Sequence, residues 1–155
     1  MDKQKVYFID LPVNSKPRYI CDITEKIYGQ QLTCTIYCKT EQSTLLLDRL
    51  LWTWKQESFV PHILCPAETV SDNLPEPVLI TSTLPLNHKT NTLILFDPVD
   101  DNSVFSSFNI IIDFAETYNP VKVAESRKRF KELRDAGEYD LEYLKLSEFL
   151  KKVQL

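Results

Sequence analysis

Short runs of β-branched and aromatic residues alternate with stretches of helical period, and this alternation limits what the 155-residue chain can fold into. Residues 5–11, KVYFIDL, read as a buried strand that stops at Pro12. Ser15 offers an N-cap and Pro17 suits a first helical turn. Ile20, Ile23 and Ile27 then recur at helical spacing, and Gly29 is expected to close that helix in the left-handed conformation. Residues 32–38, LTCTIYC, form a second strand, with Leu32, Cys34, Ile36 and Cys38 on one face and Thr33, Thr35 and Tyr37 on the other. Glu41 to Trp54 carries Leu47, Leu50, Leu51 and Trp54 on one helical stripe, and a short extended piece follows from Phe59 to Leu64. The order β-α-β-α-β predicts an α/β fold, with parallel strands, right-handed crossovers and helices on both faces of the sheet.

The middle of the chain breaks the rhythm. Pro66, Pro75, Pro77, Pro85 and Pro98 punctuate it. Two apolar runs lie between them, residues 78–84 (VLITSTL) and 92–98 (TLILFDP), joined by a short polar loop. These predict an additional antiparallel hairpin. Residues 109–116, NIIIDFAE, read as another buried strand. Pro120 then opens a basic helix with Val123, Phe130 and Leu133 as its apolar positions, and Gly137 ends it. Residues 140–155 are expected to form a C-terminal amphipathic helix, on which Leu141, Leu144, Phe149 and Val153 recur. The length suits a single domain spanning 1–155, able to bury a sizeable core without disulfide or metal.

Gly29 and Gly137 are the chain's only two glycines, so neither a Walker A loop nor a G-x-G-x-x-G turn can be built. The cysteines, Cys21, Cys34, Cys38 and Cys65, include no C-x-x-C pair. Cys34 and Cys38 share a strand face roughly 13 Å apart, too far for one zinc ion or a disulfide. Buried, reduced thiols are expected, and no cofactor or metal. The N-terminus has no apolar signal-like region and no apolar run approaches a membrane span, so a cytoplasmic protein is expected.

No residue constellation points to catalysis. Asp97 and Asp113 end apolar strands and, with Asp100 and Asp101, could supply carboxylates to Mg²⁺ in a nuclease or nucleotide-processing enzyme. No spacing is specific for that chemistry. Two stretches look instead like binding surfaces. Trp52, Trp54 and Phe59 stand close together, Trp52 is out of phase with the apolar helix stripe, and Phe59-Val60-Pro61 is a short apolar extended segment. The second stretch is the basic helix. Residues 120–137 carry a charge of +3 within a chain of net charge −4, leaving −7 elsewhere. Arg127, Lys131 and Arg134 fall on one helix face at i, i+4 and i+7, with Phe130 beside them. That pattern suits an acidic peptide with an apolar anchor, because guanidinium groups grip carboxylates and a ring can wall a pocket. A nucleic-acid backbone is disfavoured by the negative remainder of the chain.

Taken together, LDRLLWTWKQESFVPH (47–62), NIIIDF (109–114) and ESRKRFKELRDAGEYD (125–140) resemble the chi-subunit family of bacterial DNA polymerase III. The likeness runs over nearly the whole chain and is looser through the proline-punctuated middle. It implies a Rossmann-like domain without a nucleotide site, and a non-catalytic adaptor of the clamp-loader complex. It also implies a 1:1 pairing with the psi subunit and binding of the acidic C-terminal tail of single-stranded DNA-binding protein. In some bacteria a repair helicase shares the psi-facing surface, and contact with DNA is indirect. Carried onto this sequence, the tail site is Arg127, Phe130, Lys131 and Arg134, with Gly137 at its edge. The psi surface is Trp52, Phe59, Val60 and Pro61. Some family members have tyrosine where this chain has Phe130, which keeps the ring and loses the hydroxyl. Residues 141–155 are longer than the family pattern implies and would partly cover one of these surfaces.

Overall fold

The computed structural model describes residues 3–55, 59–65, 76–84 and 90–155. Seven strands form one sheet in the order β3-β4-β2-β5-β6-β1-β7. They are β1 (Gln4–Asp10), β2 (Cys34–Tyr37), β3 (His62–Cys65), β4 (Val78–Thr81), β5 (Thr92–Leu95), β6 (Ile110–Ala115) and β7 (Tyr139–Lys145). Every pairing between them is parallel. The helices are α1 (Lys16–Gly29), α2 (Glu41–Thr53), α3 (Pro120–Ala136) and the short α4 (Leu146–Leu150), with a 3-10 helix over Asn102–Ser107.

Alternation along the strands divides the core between two faces. On one, Tyr7, Ile9, Cys34, Ile36, Ile80, Ile112 and Phe114 pack beneath α1, α2 and α4 through Ile20, Ile23, Leu47, Leu51 and Phe149. On the other, Val6, Phe8, Leu93, Leu95 and Ile111 pack beneath α3 and the 3-10 helix through Leu133 and Phe105. The α/β expectation with helices on both faces holds, and the four cysteines are free and buried. Burial alone pushes the Cys34 thiol up to about 12.

Three expectations are corrected. The apolar runs in the middle do not form an antiparallel hairpin. β4 and β5 lie on opposite sides of β2, each parallel to it, with Ile36 level with Ile80 on one side and Ile94 on the other. Both runs pair with β2, 44 and 58 residues earlier, rather than with each other.

Residues 140–155 are not a helix. Tyr139–Lys145 is extended along β1, Gln4 level with Tyr139 and Asp10 level with Lys145, and only Leu146–Leu150 is α-helical. The exposed edge of β1 decides the matter, because a parallel strand there satisfies its backbone groups.

Gly29 does not take the left-handed conformation either. α1 runs on through it, and Gln31 adopts φ 60° two residues later. The Gln31 and Leu32 amides donate to Tyr28 O and Ile27 O at 2.9 and 3.1 Å, the pair of bonds that closes a Schellman turn.

Candidate functional site

α3 begins at a strong stop. Asn119 caps it, its side-chain oxygen accepting from the Val121 and Lys122 amides at 2.9 and 3.1 Å, and Pro120 sits in the first turn. Gly137 ends the helix at φ +70°, its amide donating to Arg134 O at 3.2 Å. Inside the helix, Ser126 and Leu133 are buried and Phe130 is half-buried. The Phe130 ring packs edge-on against Phe8 of β1, centroids 5.2 Å apart.

This anchoring turns the neighbouring stripe outward. Arg127, Lys131 and Arg134 line one groove of about 440 Å³, together with Phe130, Val123, Phe8, Ala115, Thr117 and Tyr143. The volume falls in the range of small-ligand clefts. Arg127 and Lys131 enter no ion pair among the described residues, and Arg134 touches only exposed Asp135 at 3.4 Å. Cationic side chains therefore stand on one wall of an aromatic-floored groove with little to neutralise them. The arrangement can hold a peptide that carries carboxylates beside an apolar side chain.

The groove gathers four of the residues expected there. Gly137 is absent from its lining and acts by ending the helix. The groove also has a wall that the sequence reading missed, Tyr143 of β7. Partial burial, helped by the Asp10 carboxylate and opposed by Arg127, pushes its phenol above the ordinary value of 10.0. The signal for Tyr143 was the alternation Tyr139, Leu141, Tyr143, which a helical reading of the same residues hides.

At the opposite edge of the sheet, Trp52 on α2 is 51% exposed and Phe59 is 65% exposed. Their ring centroids lie 5.6 Å apart, and the Trp52 ring also meets the His62 ring at a tilt of 46°, centroids 4.4 Å apart. Pro61 is half-buried beside them. Val60 does not share that surface: it is 2% exposed and packs in the core, where it anchors the segment that presents Phe59.

The aspartates expected at strand ends are placed differently and are engaged: Asp113 lies inside β6 and Asp97 two residues past β5. Asp113 takes two hydrogen bonds from Arg129 of α3, at 2.9 and 3.1 Å, and the pair is largely buried. Asp97 accepts the Lys39 amide at 2.8 Å, and Asp101 caps the 3-10 helix through the Ser103 amide at 2.9 Å. A divalent cation at Asp113 would have to displace a guanidinium. Among the described residues, no helix is long and apolar enough to cross a membrane.

Comparison with known proteins supplies the context for this geometry. The C-terminal domain of the DEAD-box protein Dbp5 superposes with a TM-score of 0.61 at 13% identity, covering 97% of each chain. The second helicase domain of the DEAD-box protein Mss116p, solved bound to an RNA duplex, superposes with a TM-score of 0.54 at 12% identity, covering 93% of this chain and 63% of that one. At such identities the likeness establishes a Rossmann-like, RecA-type fold and nothing more. In sequence, the DNA polymerase III subunit chi of Haemophilus influenzae is 28% identical over 117 residues, 76% of this chain and 78% of that protein. The family model described as DNA polymerase III chi subunit, HolC, matches residues 3–141, and the chain belongs to that family.

Proposed function

We propose that this chain is a non-catalytic adaptor, located in the cytoplasm with the replication machinery. It captures the acidic C-terminal tail of single-stranded DNA-binding protein and couples it, through the psi subunit, to the clamp loader. One observation carries the reading: Arg127, Lys131 and Arg134 converge on an aromatic-floored groove, and two of the three have no acidic partner among the described residues. A tail rich in carboxylates supplies the missing charge, and an apolar tail residue suits the Phe130 floor. The psi subunit, or a repair helicase in its place, is assigned to the exposed rings of Trp52 and Phe59 with Pro61 beside them. Exposed aromatic rings, tryptophan above all, are enriched among the residues that dominate interface energetics.

Charge-assisted hydrogen bonds contribute roughly 1.5–3 kcal/mol each when well formed. Arg127→Ala is therefore expected to weaken tail-peptide binding about tenfold or more, and wild-type affinity should fall as salt rises. Calorimetry with a synthetic tail peptide, alongside a thermal melt of the variant, tests this. An affinity indifferent to Arg127 and to salt sinks the assignment.

A further inference from the structure

We propose that Tyr143 is the specificity-determining wall of the groove, selecting the apolar side chain of the bound acidic peptide; the inference rests on the tail-binding reading above. Tyr143 is 53% exposed, a large aromatic on a seven-residue edge strand. Its position follows from β7. Tyr139 and Leu141 pack on the α3 face of the sheet, and strand alternation carries Tyr143 to the same face. The parallel register sets it level with Phe8 on β1, and Phe8 in turn supports Phe130. Three rings from three elements thus line one groove: Phe8 at its base, Phe130 on the helix side and Tyr143 on the strand side.

The cations all come from α3, and Tyr143 faces them from the strand side of the groove. A peptide that lays its carboxylates along the helix then seats its apolar side chain on the Phe130 floor, with the Tyr143 ring walling it from the strand side. The family match covers residues 3–141, and Tyr143 lies two positions past its end.

The ring, rather than the hydroxyl, does the selecting. A partly stacked aromatic pair adds about 0.5–1.5 kcal/mol, equivalent to roughly a threefold to tenfold change in affinity. The test is a cycle of titrations with two synthetic peptides. One is the acidic tail of single-stranded DNA-binding protein, and the other is the same peptide with its apolar anchor replaced by alanine. Tyr143→Ala should weaken the intact peptide about threefold to tenfold and the alanine-anchor peptide less than about twofold. Tyr143→Phe should stay within about twofold of wild type for both. Equal losses for the two peptides, or none for either, overturn the role of Tyr143, provided that Arg127→Ala still weakens binding. If the wild-type protein binds neither peptide, the tail reading falls and this inference with it.

Discussion

The chain's two glycines occupy opposite conformational situations, and substitution should separate them. Gly29 lies at the end of α1 with ordinary backbone angles, and an added Cβ would meet nothing within 4 Å. Alanine there removes unfolded-state freedom at no steric cost, so Gly29→Ala should stabilise the protein by about 0.5–1 kcal/mol. Gly137 also has open space around it, but its φ of +70° is the left-handed region. A Cβ crowds the following carbonyl there, and Gly137→Ala should destabilise by about 1–2 kcal/mol. Chemical denaturation of the two variants measures both, and a Gly137→Ala protein as stable as wild type would contradict the second. Because the Gly137 amide holds Arg134 O at 3.2 Å, the strain falls on the turn that carries Arg134, and tail affinity should drop with stability. Gly137 matters to the groove through that turn, without lining it.

Elements differ in how openly the sequence declares them. The first two β-α units were legible because each short apolar run is followed by a helix that keeps a single stripe, as Ile20, Ile23 and Ile27 do. The basic helix was legible for the same reason, and so was the grouping of Arg127, Phe130, Lys131 and Arg134. The middle runs were not, because local turn signals cannot say that two strands flank a third from far upstream. β7 was hidden because Leu141 and Leu144 fit a helical period as well as Tyr139, Leu141 and Tyr143 fit a strand. What decides it is β1, a partner 135 positions away, judging by the Lys5–Asp140 contact.

Charge reinforces that pairing. Lys5 reaches Asp140 and Glu142 at 3.2 and 3.1 Å, and Glu142 also meets Lys152 beyond α4 at 3.3 Å. Burial opposes ionisation of Glu142, but hydrogen bonds from Lys5 and Lys152 outweigh it and hold the carboxyl below its ordinary 4.5. A depressed carboxyl contributes stability that is complete above the unfolded value and disappears as pH falls through the folded one. Burial likewise disfavours the Lys5 ammonium, and its two carboxylate partners still raise it above 10.5. That contribution is complete below 10.5 and fades as pH rises through the folded value. Glu142 is about one-third exposed, so solvent screening limits its share to less than about 1 kcal/mol. Glu142→Gln should therefore melt slightly below wild type at pH 7, and the gap should narrow as pH falls from 4.5 through the lower folded value. A gap that persists at pH 3 would place the effect in packing rather than charge.

At the scale of the molecule, sheet order sets the distance between the two candidate surfaces. Trp52 and Phe59 sit beside β3 at one edge, and the Arg127 groove sits beside β7 at the other. Six strand spacings separate those edges, about 29 Å. The sheet between them is packed on both faces, and the rings and the basic groove share no residue. An adaptor needs that separation, since a partner at one edge must leave the other open. Sites this far apart with no shared partner add independently, within roughly 0.3–0.5 kcal/mol. Tail-peptide affinity should therefore change by less than about twofold when the psi subunit is bound. Trp52→Ala should abolish or weaken co-purification with psi while leaving tail affinity intact, and Arg127→Ala should do the reverse. Titrating the peptide into the free chain and into its complex with psi measures the coupling directly. A tenfold difference would mean that the sheet transmits binding from edge to edge, or that the two partners meet beyond the groove. Equal affinities leave a rigid spacer, with each edge gripping its partner on its own terms.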